Sequence, residues 1–349
     1  MAHSLRQRLG ALAIDWPRYE RAIHGAWERI HNRDERLLVA PQGRGVACQW
    51  QWTSDLHVTR VFPRLGIRLM RRALAEWPIA FADSPVEHHD APDVSFVIGH
   101  RGHERVPQLL ATLGTLAAQQ GVGCECVVVE QSVKPEVRER LPAWVRYVHT
   151  PLPVVDLPYC RSWALNVGAR IATGRLVVFH DNDMLVPERY ALELWQRHRA
   201  GFEVVNLKRF IFYLSQAHSQ EIQAARRVTT SRAPEATVQN LEAGGSIAVD
   251  RDAFLALGGY DEAFVGWGGE DNEFYERAVT RKTWPFAYLP IVHLWHAPQP
   301  RKEDPSNPTA RQRAERSALP PQRRIAELAA RPFGDPTRLS PASICPQPA

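Results

Sequence analysis

Leu176-Val-Val-Phe-His-Asp-Asn-Asp183 joins a short apolar run to an acidic turn, and its reading decides the fold. Four consecutive large apolar residues between Gly174 and the Asp/Asn turn suit a strand buried on both faces. Val94-Ser-Phe-Val-Ile98 and Cys126-Val-Val-Val129 are two earlier runs of the same kind. Val106 to Gln119 lies between those two and repeats its apolar residues at helical spacing. Leu157 to Ala172 does the same before the third run, and Gly174 stops it. Strand, helix, strand is a βαβ unit, which makes the strands parallel. The expected fold is therefore α/β, a Rossmann-like, mostly parallel sheet flanked by helices. No Gly-x-Gly-x-x-Gly follows the first strand, which argues against dinucleotide binding.

Ligands of open α/β sheets lie beyond the carboxyl ends of the strands. His100-Arg-Gly-His-Glu-Arg105, Glu130-Gln-Ser132 and the Asp181/Asp183 pair all fall there. Two aspartates so placed are a seat for a hard divalent cation carrying diphosphate oxygens. The plain alternative is an ordinary Asp/Asn turn. Further on come Gly244-Gly-Ser-Ile-Ala-Val249 and Gly266-Trp-Gly-Gly-Glu-Asp271. Glycines admit close approach of a ligand, and Trp267 offers a flat apolar face. An apolar period through Phe274, Tyr275 and Ala278 starts a helix near Glu270. A flat face beside Glu270 and Asp271 is suited to holding a sugar and activating a hydroxyl; a helix-capping acid is the plain alternative. Tyr190–Arg199 reads as a helix, and Val204–Tyr213 and Pro285–Val292 as strands. The last leads into His293-Leu-Trp-His296. Residues three apart on a regular strand face opposite ways, so both histidines meet one ion only if the chain turns there.

The 349 residues carry a net charge of +5, with 39 arginines and four lysines. The arginines are scattered, so no nucleic-acid partner is expected, and a phosphate-bearing small molecule suits the charge equally well. Residues 1–90 read as a mainly helical extension with five tryptophans, of which Trp16, Trp27, Trp50 and Trp52 are expected to pack. The Arg64–Trp77 helix could lie on an anionic membrane surface, but packing on the main domain is preferred. Residues 91–310 form the main domain, with a nucleotide-binding half (91–185) and an acceptor and metal half (186–310). Residues 311–349 are a Pro/Arg-rich tail, expected to pack loosely around one short helix at Gln322–Ala330. No run approaches the roughly 20 apolar residues that span a bilayer. The apolar run Ala11–Ile14 is too short for a signal peptide, and the five cysteines form no paired framework. A reduced, cytoplasmic protein is expected.

In this order, the acidic strand end, Gly-Gly-Ser-Ile-Ala-Val, Gly-Trp-Gly-Gly-Glu-Asp and the histidine-ended strand resemble the GT-A glycosyltransferases. The likeness is to β-1,4-galactosyltransferases, with relatives among chondroitin-type polymerases and polypeptide N-acetylgalactosaminyltransferases, over residues 94–310. It implies a metal-dependent, inverting transfer of a hexose or N-acetylhexosamine from a UDP-sugar to a hydroxyl of a glycan or other acceptor. Arg101, Glu130 and Arg161 would hold the uridine diphosphate. Asp183 would bind the metal, with Asp181 nearby and His296 as a further ligand. Trp267 and Glu270 would contact sugars, and Asp271 would be the general base. His293 falls where that family carries a methionine ligand; imidazole there suits Mn²⁺ and extends the choice toward Mg²⁺. Ala297–Pro308, polar and rich in proline, would close over the donor. The chain departs from the family at Glu242-Ala243, where aromatic residues flank the donor sugar, so galactose is not carried over. Two other functions compete with this one: a non-catalytic carbohydrate-binding protein, against which the intact carboxylates and His296 speak, and a sugar-1-phosphate nucleotidyltransferase, for which Gly99-His-Arg-Gly102 is too poor in glycine.

Overall fold

The computed structural model describes residues 4–41, 44–47, 54–87, 89–154, 157–239, 243–297 and 308–337. In chain order the strands are β1 (Leu38–Val39), β2 (Val46–Ala47), β3 (Ser54–Asp55), β4 (Val94–His100), β5 (Cys124–Ser132), β6 (Arg146–Pro151), β7 (Leu176–His180), β8 (Met184–Leu185), β9 (Val204–Val205), β10 (Lys208–Tyr213), β11 (Ala236–Gln239), β12 (Ser246–Asp250), β13 (Phe286–Ala287) and β14 (Leu289–His293).

The central sheet has the order β6-β5-β4-β7-β12-β9. β4 pairs in parallel with β5 and β7, and β5 with β6, as the three apolar runs predict. β12 runs against both β7 and β9. Successive residues of the parallel strands serve two cores, one on each face: Phe96, Ile98, Cys126 and Val128 in one, Val97, Val127, Val129 and Phe179 in the other. The helix Val106–Ala117 supplies Leu109 and Leu113 to the first core, and the helix Arg161–Ile171 supplies Trp163 and Val167 to the second. The chain leaves β4 toward β5 and β6, then returns to the other side of β4 as β7. This reversal opens a crevice beyond the carboxyl ends of β4 and β7.

A second sheet, β3-β11-β10-β14-β8, is antiparallel except for the β10–β14 pair. The single strand expected over 204–213 is divided between the sheets. β9 stays in the first and β10 joins the second, because buried Asn206 accepts the Lys208 amide on its side chain and turns the chain. Pro285–Val292 divides likewise at Tyr288, with β13 joining β1 and β2 and β14 the second sheet. The helix expected from Leu157 starts at Arg161, where the Gln131 side-chain amide brackets the peptide groups of Cys160 at 2.8 and 3.0 Å. The polar stretch 215–237, unread from sequence, holds a helix Gln216–Ala225 capped by Ser215, and the start of β11.

The described residues between 4 and 87 join the main core. Tyr19, Ile23, Trp27, Leu65, Leu69 and Trp77 pack in one cluster with Phe96, Phe210 and Ile291. The helix Pro63–Glu76 buries Leu65, Leu69, Met70 and Ala73, which agrees with the packed reading of Arg64–Trp77. Trp50 and Trp52 lie outside the described residues. No described helix is long and apolar enough to cross a membrane.

The loosely packed tail is corrected for residues 308–337. They form helices Pro308–Ser317 and Pro321–Ala329 that dock on the helix Glu270–Ala278. Glu273 is bound by Arg277 at 2.8 and 2.7 Å and by Arg324 at 3.2 Å, and all three are buried. Arg324 also donates to Glu276 at 2.7 Å. The partner of Arg324 in the tail is thus a charge buried on another helix. Glu273→Gln leaves buried Arg277 without its anion and Arg324 with Glu276 alone, and should cost about 3–5 kcal/mol. Glu276→Gln, at a half-exposed position, should cost no more than about 1 kcal/mol. Urea unfolding of both variants checks the contrast; equal losses would place the lock elsewhere.

Candidate active site

Two groups of polar side chains meet at the crevice. The first gathers around Arg161, the first residue of its helix. Its guanidinium lies 2.6 Å from Asp181 Oδ1, 2.6 Å from Asp271 Oδ1 and 3.6 Å from Glu270 Oε1. Burial opposes its charge, but the three carboxylates outweigh that and hold its pKa well above the ordinary arginine value. Burial also pushes Asp181 up, and Arg161 outweighs it and holds the carboxyl low. Glu270 ends differently: burial, with the Asp271 charge added, raises it to about 7. Its Oε2 is buried without a hydrogen-bond partner among the described residues. Asp271 is raised by burial against the pull of Arg161. Two glycines make this geometry. Gly269 adopts φ 92° to start the helix, and a Cβ on Gly244 would stand 3.1 Å from Asp271 Oδ2. Asp181 N–H donates to Gly245 O at 2.8 Å, continuing the β7–β12 ladder into the turn.

The second group is Asp183, His293 and His296, whose ligand atoms lie within 4.8 Å of one another. β8 pairs with the end of β14, His293 opposite Met184, and Leu294 N–H donates to Asp183 O at 2.8 Å. Beyond this bond the chain leaves the strand, so His296 comes round to the face of His293, with ring centroids 5.3 Å apart. This is the turn that the three-residue spacing requires. Tyr213 stacks on His293 at 4.3 Å. Burial lowers the His293 pKa, keeping an imidazole lone pair available. One carboxylate and two imidazoles fit a divalent first-row cation.

Two neutral histidines brace the acidic turn. His100 Nδ1 accepts from Asn182 at 3.0 Å while its Nε2–H donates to Gly102 O at 2.9 Å. His180 Nε2–H donates to Met184 O, and its Nδ1 accepts from Ser246. Burial lowers both to about 4, so both stay uncharged beside the aspartates.

The structure thus brings together Asp181, Asp183, Arg161, Glu270, Asp271, His293 and His296. Trp267 is 44% exposed in the loop before them, its carbonyl accepting from Thr309 at 2.6 Å. Arg101 donates to Leu157 O at 2.6 Å, tying the loop after β4 to the approach of the Arg161 helix. Glu130 is buried and its carboxylate is engaged by the Glu136 and Val137 amides, Ser132 and Tyr147. It braces its own loop in this state and does not join either group. Glu242 and residues 298–307 of the expected lid lie outside the described residues. Sequence reading missed Arg105 and Tyr213. Arg105 stands at the helix start after β4, a position that could have been weighed with the other strand ends; Tyr213 is legible only once β10 is registered on β14.

The family described as the N-terminal domain of galactosyltransferase matches residues 234–288, from the start of β11 through β13. The chain is also similar to validoxylamine A glucosyltransferase of Streptomyces hygroscopicus subsp. jinggangensis (strain 5008), 26% identical over 52% of this chain and 52% of that protein. The protein of the same description from Streptomyces hygroscopicus subsp. limoneus is 26% identical over 50% and 47%. The chain spans about half the length of the curated relatives it matches. These matches support a glycosyltransferase, and the mixed α/β architecture with its parallel strands is consistent with a GT-A-like fold.

The raised Glu270 pKa has a sign for stability. The folded state holds its proton up to about pH 7 while the unfolded chain releases it near 4.5, so stability from this group falls as pH rises between those values. Glu270→Gln should therefore gain on the wild type between pH 5 and pH 8, on the order of 1–3 kcal/mol. Thermal melts of both proteins at the two pH values check it; a constant difference would place Glu270 in an ordinary solvated state.

Proposed function

We propose that this protein is a metal-dependent, inverting GT-A glycosyltransferase that moves a hexosyl group from a UDP-sugar to an acceptor hydroxyl. The observation that carries the reading is the pairing of a three-ligand cation seat with two carboxylates at a helix start, Glu270 buried and Asp271 partly buried. The names of the relatives favour a glucosyl donor and an acceptor of the kind they name, validoxylamine A.

Asp183, His293 and His296 would hold the cation, whose chemistry is to neutralise the charge that develops on the departing diphosphate. Arg161, with Arg101, would bind the nucleotide, and Arg161 would then shift from Asp271 toward the donor. Glu270 would bond a sugar hydroxyl through Oε2, and Trp267 would stack on a sugar ring. The acceptor oxygen attacks the anomeric carbon while the bond from that carbon to the diphosphate oxygen breaks and its electron pair leaves with UDP. Asp271 Oδ2, on the side away from Arg161, accepts the hydroxyl proton. A single displacement needs one such base and inverts the carbon.

Incubation with UDP-glucose, Mn²⁺ and candidate acceptors should release UDP, and EDTA should stop it. Asp271→Asn should leave UDP binding nearly intact and lower turnover by about 10²–10⁴-fold. Wild-type turnover in Asp271→Asn with loss in Glu270→Gln would move the base to Glu270. Release of pyrophosphate instead of UDP would replace the reading with nucleotidyl transfer. Trp267→Ala should raise the acceptor KM more than it weakens UDP binding, measured by calorimetry; equal losses would remove Trp267 from the acceptor side.

A further inference from the structure

The Arg105 guanidinium faces the same groups as the cation seat. Nη1 lies 3.2 Å from Asp183 Oδ2 and Nη2 lies 3.0 Å from His296 Nδ1. The side chain is 22% exposed and Asp183 4%, so the pair is only partly screened by solvent. We propose that Arg105 is a displaceable internal cation: it neutralises Asp183 while the seat is empty, and an entering metal ion expels it onto the donor diphosphate. The proposal rests on the reading of Asp183, His293 and His296 as a metal site.

Two observations carry it. The first is competition for one oxygen: Asp183 Oδ2 is the atom nearest both Arg105 and His296 Nε2, the latter at 3.5 Å. A divalent ion bound there at about 2 Å would stand against the guanidinium, and like charges at that range repel. The second is the tautomer of His296. Its Nδ1 lies 2.7 Å from Ala297 O and 3.0 Å from Arg105 Nη2. One nitrogen cannot donate to the carbonyl and accept from the guanidinium at once. Metal ligation through Nε2 needs the proton on Nδ1, which serves Ala297 O and removes the acceptor from Arg105. Filling the seat therefore cancels both contacts of Arg105 together. A phosphate oxygen sharing the ion with these ligands lies within reach of the freed guanidinium, whose fork suits it. Arg105 begins at the turn before the Val106–Ala117 helix, so only its side chain has to move.

The consequence is coupling between metal and diphosphate. Mn²⁺ alone must displace Arg105 with nothing to receive it, and UDP supplies the receiver. In the wild type, saturating UDP should tighten Mn²⁺ binding strongly. Arg105→Gln should bind Mn²⁺ alone about tenfold more tightly than the wild type, a shift near 1.4 kcal/mol, and bind UDP about tenfold more weakly at saturating Mn²⁺. Arg105→Lys should recover part of the UDP affinity. Calorimetry with Mn²⁺ alone, then with UDP at saturating Mn²⁺, reads each quantity without turnover. A merely structural role would weaken metal binding in Arg105→Gln instead of tightening it. If Arg105→Gln binds Mn²⁺ no more tightly than the wild type while His296→Ala abolishes binding, the proposal fails and the metal site stands. If no variant binds Mn²⁺ with or without UDP, the metal site and the proposal fall together.

Discussion

Two residue pairs of antiparallel ladder, Val292 opposite Leu185 and His293 opposite Met184, hold the site together. They join the end of the second sheet to the acidic turn that leaves the first. With the Leu294-to-Asp183 backbone bond they fix where β14 stops and bring His296 round to Asp183. Were the register to slip by one residue, His293 would face the opposite side of the sheet. Asp181 is fixed from the other direction, by the bond from its amide to Gly245 O that prolongs β7–β12. The two aspartates thus belong to two ladders, and each receives its own cationic partner: Arg161 for Asp181, Arg105 for Asp183.

Charge held partly out of water is the second constraint. Arg161, Asp181, Glu270 and Asp271 share a pocket in which one guanidinium faces three carboxylates. Such an excess of acid is costly away from water, and it is met in part by a Glu270 carboxyl that keeps its proton to about pH 7. A partly satisfied network of this kind is poised for a ligand that brings donors to Oε2. The docked helices Pro308–Ser317 and Pro321–Ala329 keep the carboxylate helix in place through Arg324 and Glu273. The placement of Glu270 and Asp271 therefore depends on a segment that composition alone would leave outside the fold.

The parallel core was legible because Val94–Ile98, Cys126–Val129 and Leu176–Phe179 are apolar on both faces, and only a covered sheet gives that pattern. Asp183 was legible from its place at a strand end, and His296 was singled out only through the family resemblance. The division of Val204–Tyr213 between two sheets was not, since Asn206 gives no local sign that its side chain takes over the Lys208 amide. Nor were the roles of Arg105 and Tyr213, which follow from strand register across segments far apart in sequence. Glu130 stands at the strand end that the resemblance assigns to the nucleotide; its carboxylate also bonds amides six and seven residues on, a local bonding choice that position does not reveal.

The account rests most heavily on one cation bound by Asp183, His293 and His296 together with a diphosphate. Crystals grown with UDP and Mn²⁺, measured at the manganese absorption edge, test this directly. The account predicts one anomalous peak within about 2.0–2.6 Å of an Asp183 oxygen and a nitrogen of each histidine, with diphosphate oxygens completing its shell. A peak seated on Asp181 beside Arg161, or ordered UDP with no manganese at Asp183, would contradict it.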